Sequence, residues 1–147
     1  MKKTYYPTIK ETVYHEKMSN GLNVYLMPKD GFTKTYGLFS TRFGSIDRSF
    51  IPLGETDCIT VPDGVAHFLE HKMFDMEDGD ASEKFAALGA SSNAFTSHSR
   101  TAYLFNTATN VDECTELLLD FVQELNVTPE SIEKEKGIIN QEIGMYN

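Results

Sequence analysis

His67-Phe68-Leu69-Glu70-His71 sets two histidines four residues apart with a glutamate between them. If the segment is helical, each residue turns by about 100°, so the two imidazoles leave one face a single turn apart and can reach the same ion. The flanking sequence supports the helix. Pro62 and Asp63 precede it, with Asp63 as the expected N-cap, and Val65, Phe68, Leu69 and Met73 supply an apolar stripe for packing. Glu70 falls on the flank of the histidine face. A carboxylate there is better placed to hold a metal-bound water than to be a further ligand, the division of labour a hydrolytic zinc site needs. The pattern alone would arise in roughly one of a hundred shuffled chains, so two solvated histidines on an exposed face remain the competing reading at this point.

Upstream, Ser19-Asn20-Gly21-Leu22 reads as a tight hairpin turn leading into a strand over residues 22–26 that Pro28 closes. A second strand is expected over 35–43, then a long connection over 44–62 rich in Gly, Pro and Asp. Downstream, Asp80 or Ser82 caps a short helix that Gly89 ends. Residues 91–97 pair with 101–107, where Thr101, Tyr103, Phe105 and Thr107 share one face. Asn110 or Asp112 opens an amphipathic helix with Leu117, Leu118, Phe121, Val122 and Leu125 inward, stopping near Asn126. Thr128-Pro129-Glu130 starts a last helix that runs to Asn147. There is no internal repeat. The pattern predicts one α+β domain over residues 1–147, a mainly antiparallel or mixed β-sheet covered by helices.

Composition narrows the function. A chain of 147 residues with 40% hydrophobic content can bury a core. A net charge of -9 and no Lys/Arg cluster argue against nucleic acid as a partner. The basic start, Met1-Lys2-Lys3, lacks a following apolar run, and no segment approaches membrane-spanning length. Cys58 and Cys114 have no metal-type spacing and fit reduced thiols in a cytoplasmic protein. Neither cysteine sits in an evident nucleophile setting, and there is no Gly-x-Ser-x-Gly elbow.

Two histidines alone make a weak zinc site, so a third donor must come from elsewhere in the fold. The last helix offers carboxylates at Glu135 and Glu142, seven apart and hence on nearly the same face, with Ile138 and Ile139 between them to seat it. Inward carboxylates are costly unless paired or bound to a cation. His15 and His98 read as surface residues, Tyr103 as sheet packing and Asp75 as solvent-facing.

The order His67-x-x-Glu70-His71 is the inverted zincin signature. Together with Ser91-Ser92-Asn93-Ala94-Phe95-Thr96-Ser97 and the Glu135…Glu142 helix, it resembles the catalytic domain of the pitrilysin/insulinase family of zinc metallopeptidases, in particular its bacterial processing-protease-like branch. The resemblance implies that His67, His71 and Glu142 bind Zn2+, that Glu70 is the general base, and that Glu135 supports the ligands from behind. It implies that Asn93 and Ala94 lie on a strand where a peptide substrate adds as an extra strand. Family members are several times longer, so the chain is expected to be the N-terminal portion of a longer peptidase, completed by further domains or a homologous partner subunit. The alternative is a noncatalytic peptide-binding or assembly module. A purely structural zinc domain is disfavoured, because three protein ligands leave a position open and Glu70 would then have no task.

Overall fold

The computed structural model describes residues 1–145, and the chain divides into two compact units, Met1–Thr33 and the stretch from Lys34 onward. The first unit is an antiparallel meander of β1 (Lys2–Tyr6), β2 (Glu11–Lys17) and β3 (Asn23–Leu26), in that spatial order. Its second turn is the expected hairpin: Gly21 takes φ of 91°, and the Met18 N–H donates to the Leu22 carbonyl at 2.8 Å. A positive φ favours glycine there. Strand β1 has no apolar alternation to announce it. Pairing along its whole length with Glu11–His15 of β2 makes it a strand.

The second unit contains β4 (Thr35–Thr41), the two-residue strands β5 (Ser49–Phe50) and β6 (Ile59–Thr60), α1 (Val65–Met73), and the equally short β7 (Asp75–Met76) and β8 (Gly79–Asp80). These are followed by α2 (Ala81–Ala87), β9 (Ser91–Thr96), β10 (Thr101–Thr107), α3 (Val111–Phe121) and α4 (Pro129–Met145). The main sheet is antiparallel in the order β4-β10-β9, with β10 central. The fold is therefore α+β, antiparallel sheets with four helices among the described residues, as the sequence pattern requires.

Alternation along β10 places Tyr103 and Phe105 inward, where they meet Phe85 of α2 and Leu118 and Phe121 of α3. The Phe121 ring stands edge-on to Tyr103, with centroids 5.3 Å apart. Burying each of these side chains contributes about 1.5–3 kcal/mol. Gly37 lies opposite Phe105 in the ladder because nothing larger fits: a Cβ there would come within 2.3 Å of the Phe105 ring.

Several boundaries differ from expectation. The N-cap of α1 is Gly64, at φ of 87° and without a side-chain cap, and the expected cap, Asp63, pairs instead with Arg48 at 2.9 Å. Asp80 does cap α2, accepting from the Ser82 and Glu83 amides. The connection over 44–62 contains the small β5–β6 hairpin, pinned by Ser49 and Thr60 hydroxyls 2.8 Å apart. Helix α3 ends at Phe121, short of Asn126, which leaves Leu125 exposed. Thr128 and Ser131 exchange amide-to-hydroxyl bonds at 3.0 and 3.1 Å and fix the start of α4. The expected end of that helix at Asn147 lies outside the described residues. Among those described, no helix is long and apolar enough to cross a membrane.

Candidate metal centre

Helices α1 and α4 bring three donors together. One ligand atom each from His67, His71 and Glu142 lies within 4.8 Å of the other two. The two imidazole Nε2 atoms are 3.1 Å apart, and Glu142 Oε2 is 3.5 Å from the His67 Nε2 and 3.9 Å from the His71 Nε2. Donors about 2.0–2.2 Å from a tetrahedral ion would be separated by about 3.3–3.5 Å. The observed spacings scatter around that value, so the donor set suits a small divalent ion such as zinc.

The far side of His71 supports the same reading. Its Nδ1 faces Glu135 Oε1 at 2.8 Å. A carboxylate only accepts, so Nδ1 carries the proton, and in the neutral ring the Nε2 lone pair points at His67 and Glu142. This fixes both tautomer and ring orientation. Exposure follows a gradient: the Glu135 side chain is 14% exposed and that of His71 24%, against 34% for Glu142 and 40% for His67. The cluster is thus backed by protein at Glu135 and open towards solvent at His67, as a site needs if a water or substrate is to reach the ion.

The helix faces explain the convergence. Along α4 the half-covered positions are Ser131, Ile132, Glu135, Ile139 and Glu142, a stripe of helical period facing α1. Ile138, expected to help seat that stripe, is 42% exposed, so the seating falls mainly to Ile132 and Ile139. Along α1 the innermost residues are Ala66, Glu70 and Lys72, while Val65, Phe68, Leu69 and Met73 are only half buried. Lys72 is 1% exposed and paired with Asp75, so Asp75 is not simply solvent-facing.

Glu70 stands outside the three converging donors. It is 8% exposed, and its Oε2 accepts from Thr96 Oγ1 at 2.5 Å. Thr96 is the residue that sequence reasoning missed; alternation along β9 puts it on the helix-facing side, the one signal that could have found it. Asn93 and Ala94 lie on the same strand, at the sheet edge, and not in the metal cluster. Asn93 is exposed and its Oδ1 accepts from the Ala94 amide, while Ala94 packs against the core. Tyr103 is buried beneath this region, and burial, followed by the Glu70 charge, pushes its phenol well above the ordinary 10. His15 bonds Asn23 and stacks on Tyr25 within the first unit, and His98 is exposed in the turn after β9. Cys58 and Cys114 are both free thiols.

An α+β domain that presents two histidines and a distant glutamate in this way has the donor arrangement of an inverted zincin, and the chain belongs to the insulinase family, peptidase family M16, whose family model matches residues 60–147. Similarity extends beyond that segment. The chain is 58% identical over 142 residues to a Bacillus subtilis protein named zinc protease YmfH, covering 97% of this chain and 33% of that protein. It is 35% identical over 85 residues to subunit 1 of the rat mitochondrial cytochrome b-c1 complex, covering 54% of this chain and 18% of that one. The crystal structure of an M16-like peptidase from Alicyclobacillus acidocaldarius superposes with a TM-score of 0.84 at 46% identity, over 92% of this chain and 31% of that one. Pitrilysin shares the fold, with a TM-score of 0.72 at 22% identity over 92% of this chain and 14% of its own. The chain therefore spans about a third of the length of YmfH and of the Alicyclobacillus peptidase.

Proposed function

We propose that this chain carries the zinc ligands and the general base of an endopeptidase acting on peptides or unfolded segments. The supporting observation is the meeting of His67, His71 and Glu142 within 4.8 Å in a member of the M16 family. His67, His71 and Glu142 would hold the ion, and Glu135 would keep His71 in the binding tautomer. Zinc would supply Lewis acidity, polarising the scissile carbonyl and acidifying a water. Glu70 takes a proton from the attacking water and returns it to the leaving amine. The β9 edge, with Asn93 and Ala94, receives the peptide as an added strand, so that backbone groups supply affinity and side chains discriminate weakly. Two free cysteines support placement in the cytoplasm.

Since the named proteases are about three times longer, the rest of the machinery belongs to further domains or a homologous subunit that close over the site. Hydrolysis requires a substrate held in a near-attack geometry in a site that limits water, and the open face at His67 provides neither alone. The expected outcome is little or no cleavage of an unstructured peptide by this chain, with activity restored by a separately supplied C-terminal part or in the full-length enzyme. Comparable rates in all three arms would refute the need for completion.

A second reading is a noncatalytic assembly module, which the similarity to a cytochrome b-c1 complex subunit favours. The complete set of His67, Glu70, His71 and Glu142 weighs against it, because an assembly surface has no use for four such residues together.

A further inference from the structure

We propose that Thr96 is a positioning residue for the base: its hydroxyl tethers one oxygen of the Glu70 carboxylate and leaves the other for proton transfer. The inference rests on the reading of Glu70 as the general base.

Glu70 is 8% exposed on the inner side of α1, and a carboxylate so buried is costly unless something donates to it. The donor is Thr96 Oγ1, 2.5 Å from Glu70 Oε2. A threonine hydroxyl has one proton to give, and a second acceptor stands near, Thr101 Oγ1 at 3.5 Å. A full ångström decides for Glu70. Thr101, 2% exposed and opposite Thr96 in the ladder, spends its own proton on the Phe43 carbonyl at 2.8 Å, which anchors the strand pair behind the tether. Among the described residues no hydrogen bond engages Glu70 Oε1. One oxygen is thus held and its partner is not.

The residue type matters as well. A β-branched side chain has few χ1 states, so threonine holds its hydroxyl more firmly than serine would. The backbone beneath it is equally constrained. Ser97 N–H donates to the Arg100 carbonyl at 2.8 Å, and Ser45 and Ile46 amides donate to the Ser97 and His98 carbonyls at 3.0 and 3.1 Å. Gly44 closes this corner, since a Cβ there would lie 2.5 Å from the Arg100 nitrogen and the Ser97 oxygen. Thr96 is therefore held by the ladder to Thr101 and by the turn that follows it, and it belongs to the same strand as Asn93 and Ala94. The base is registered on the strand proposed to receive the peptide.

The test compares Thr96→Val, Thr96→Ala, Thr96→Ser and Glu70→Gln in the full-length enzyme, with zinc content and steady-state kinetics. Thr96→Val and Thr96→Ala should lower kcat by about 10–100-fold at nearly constant KM and full zinc content, with Thr96→Ser recovering most of the loss. Adding Thr96→Val to Glu70→Gln should cost nothing further. In the metal-free chain, Thr96→Val and Glu70→Ala should shift the melting temperature non-additively, the double variant melting no lower than the lower single. Turnover of Thr96→Val within about twofold of wild type while Glu70→Gln is inactive would overturn the tether and leave the base assignment standing. Zinc loss in Thr96→Val, or additive melting shifts, would overturn it too. Undiminished turnover in Glu70→Gln would instead remove the base assignment itself.

Discussion

At the scale of single residues, the burial of Tyr103 bears on how the protein responds to alkaline pH. Tyr103 is 5% exposed, and its phenol is pushed upward first by burial and then by the Glu70 charge. A group whose folded pKa is raised contributes stability fully below its unfolded value, about 10 for tyrosine, and that contribution is lost as pH climbs from there towards the folded pKa. Melting temperature should therefore fall as pH rises above about 10, and Tyr103→Phe should flatten that fall while leaving zinc content intact. An unchanged alkaline slope in Tyr103→Phe would show that this phenol is not the group responsible. The packing role of Tyr103 is legible in the alternation along 101–107, but its electrostatic partner is not. Glu70 lies thirty-three residues away, and only the seating of α1 on the sheet brings the two together.

Among elements, α1 shows how far periodicity reaches. It correctly places a helix with both histidines on one face, yet the innermost positions are Ala66, Glu70 and Lys72 rather than the apolar stripe alone. Charged residues go inward here because each finds a partner outside the helix, Thr96 for Glu70 and Asp75 for Lys72. Local sequence does not encode the first pairing, across 26 residues, whereas Lys72 and Asp75 are only three apart. Removing one partner of a buried pair leaves an uncompensated charge, whereas replacing the charge by an apolar side chain of similar volume does not. Since Asp75 is half exposed, Asp75→Ala should cost about 1–3 kcal/mol in urea unfolding, and Lys72→Met should be close to neutral. Equal losses in the two variants would contradict this view of the pair. The α4 stripe was more legible, because Glu135 and Glu142 recur at a helical period; which carboxylate faces the histidine pair and which stands behind His71 was carried by the family resemblance rather than by spacing.

For the whole molecule, the family was readable from three short motifs because each lies within a single element of the second unit: the histidine pair on α1, Asn93 and Ala94 on β9, and the glutamates on α4. What escaped the sequence depends on contacts between elements: the Thr96 tether, the corner closed by Gly44, and the strand made of Lys2–Tyr6 by pairing with β2. Under the proposed function, residues from two helices far apart in the chain would hold one zinc ion, with Glu70 beside it and not a ligand. Metal analysis of the purified chain and five variants tests this directly. The wild-type chain should hold about one zinc; His67→Ala, His71→Ala and Glu142→Gln should each lose most of it; Glu135→Gln should bind about 10–100-fold more weakly; and Glu70→Gln should keep it. Zinc lost from Glu70→Gln as completely as from His71→Ala, or retained undiminished in Glu142→Gln, would contradict the assignment.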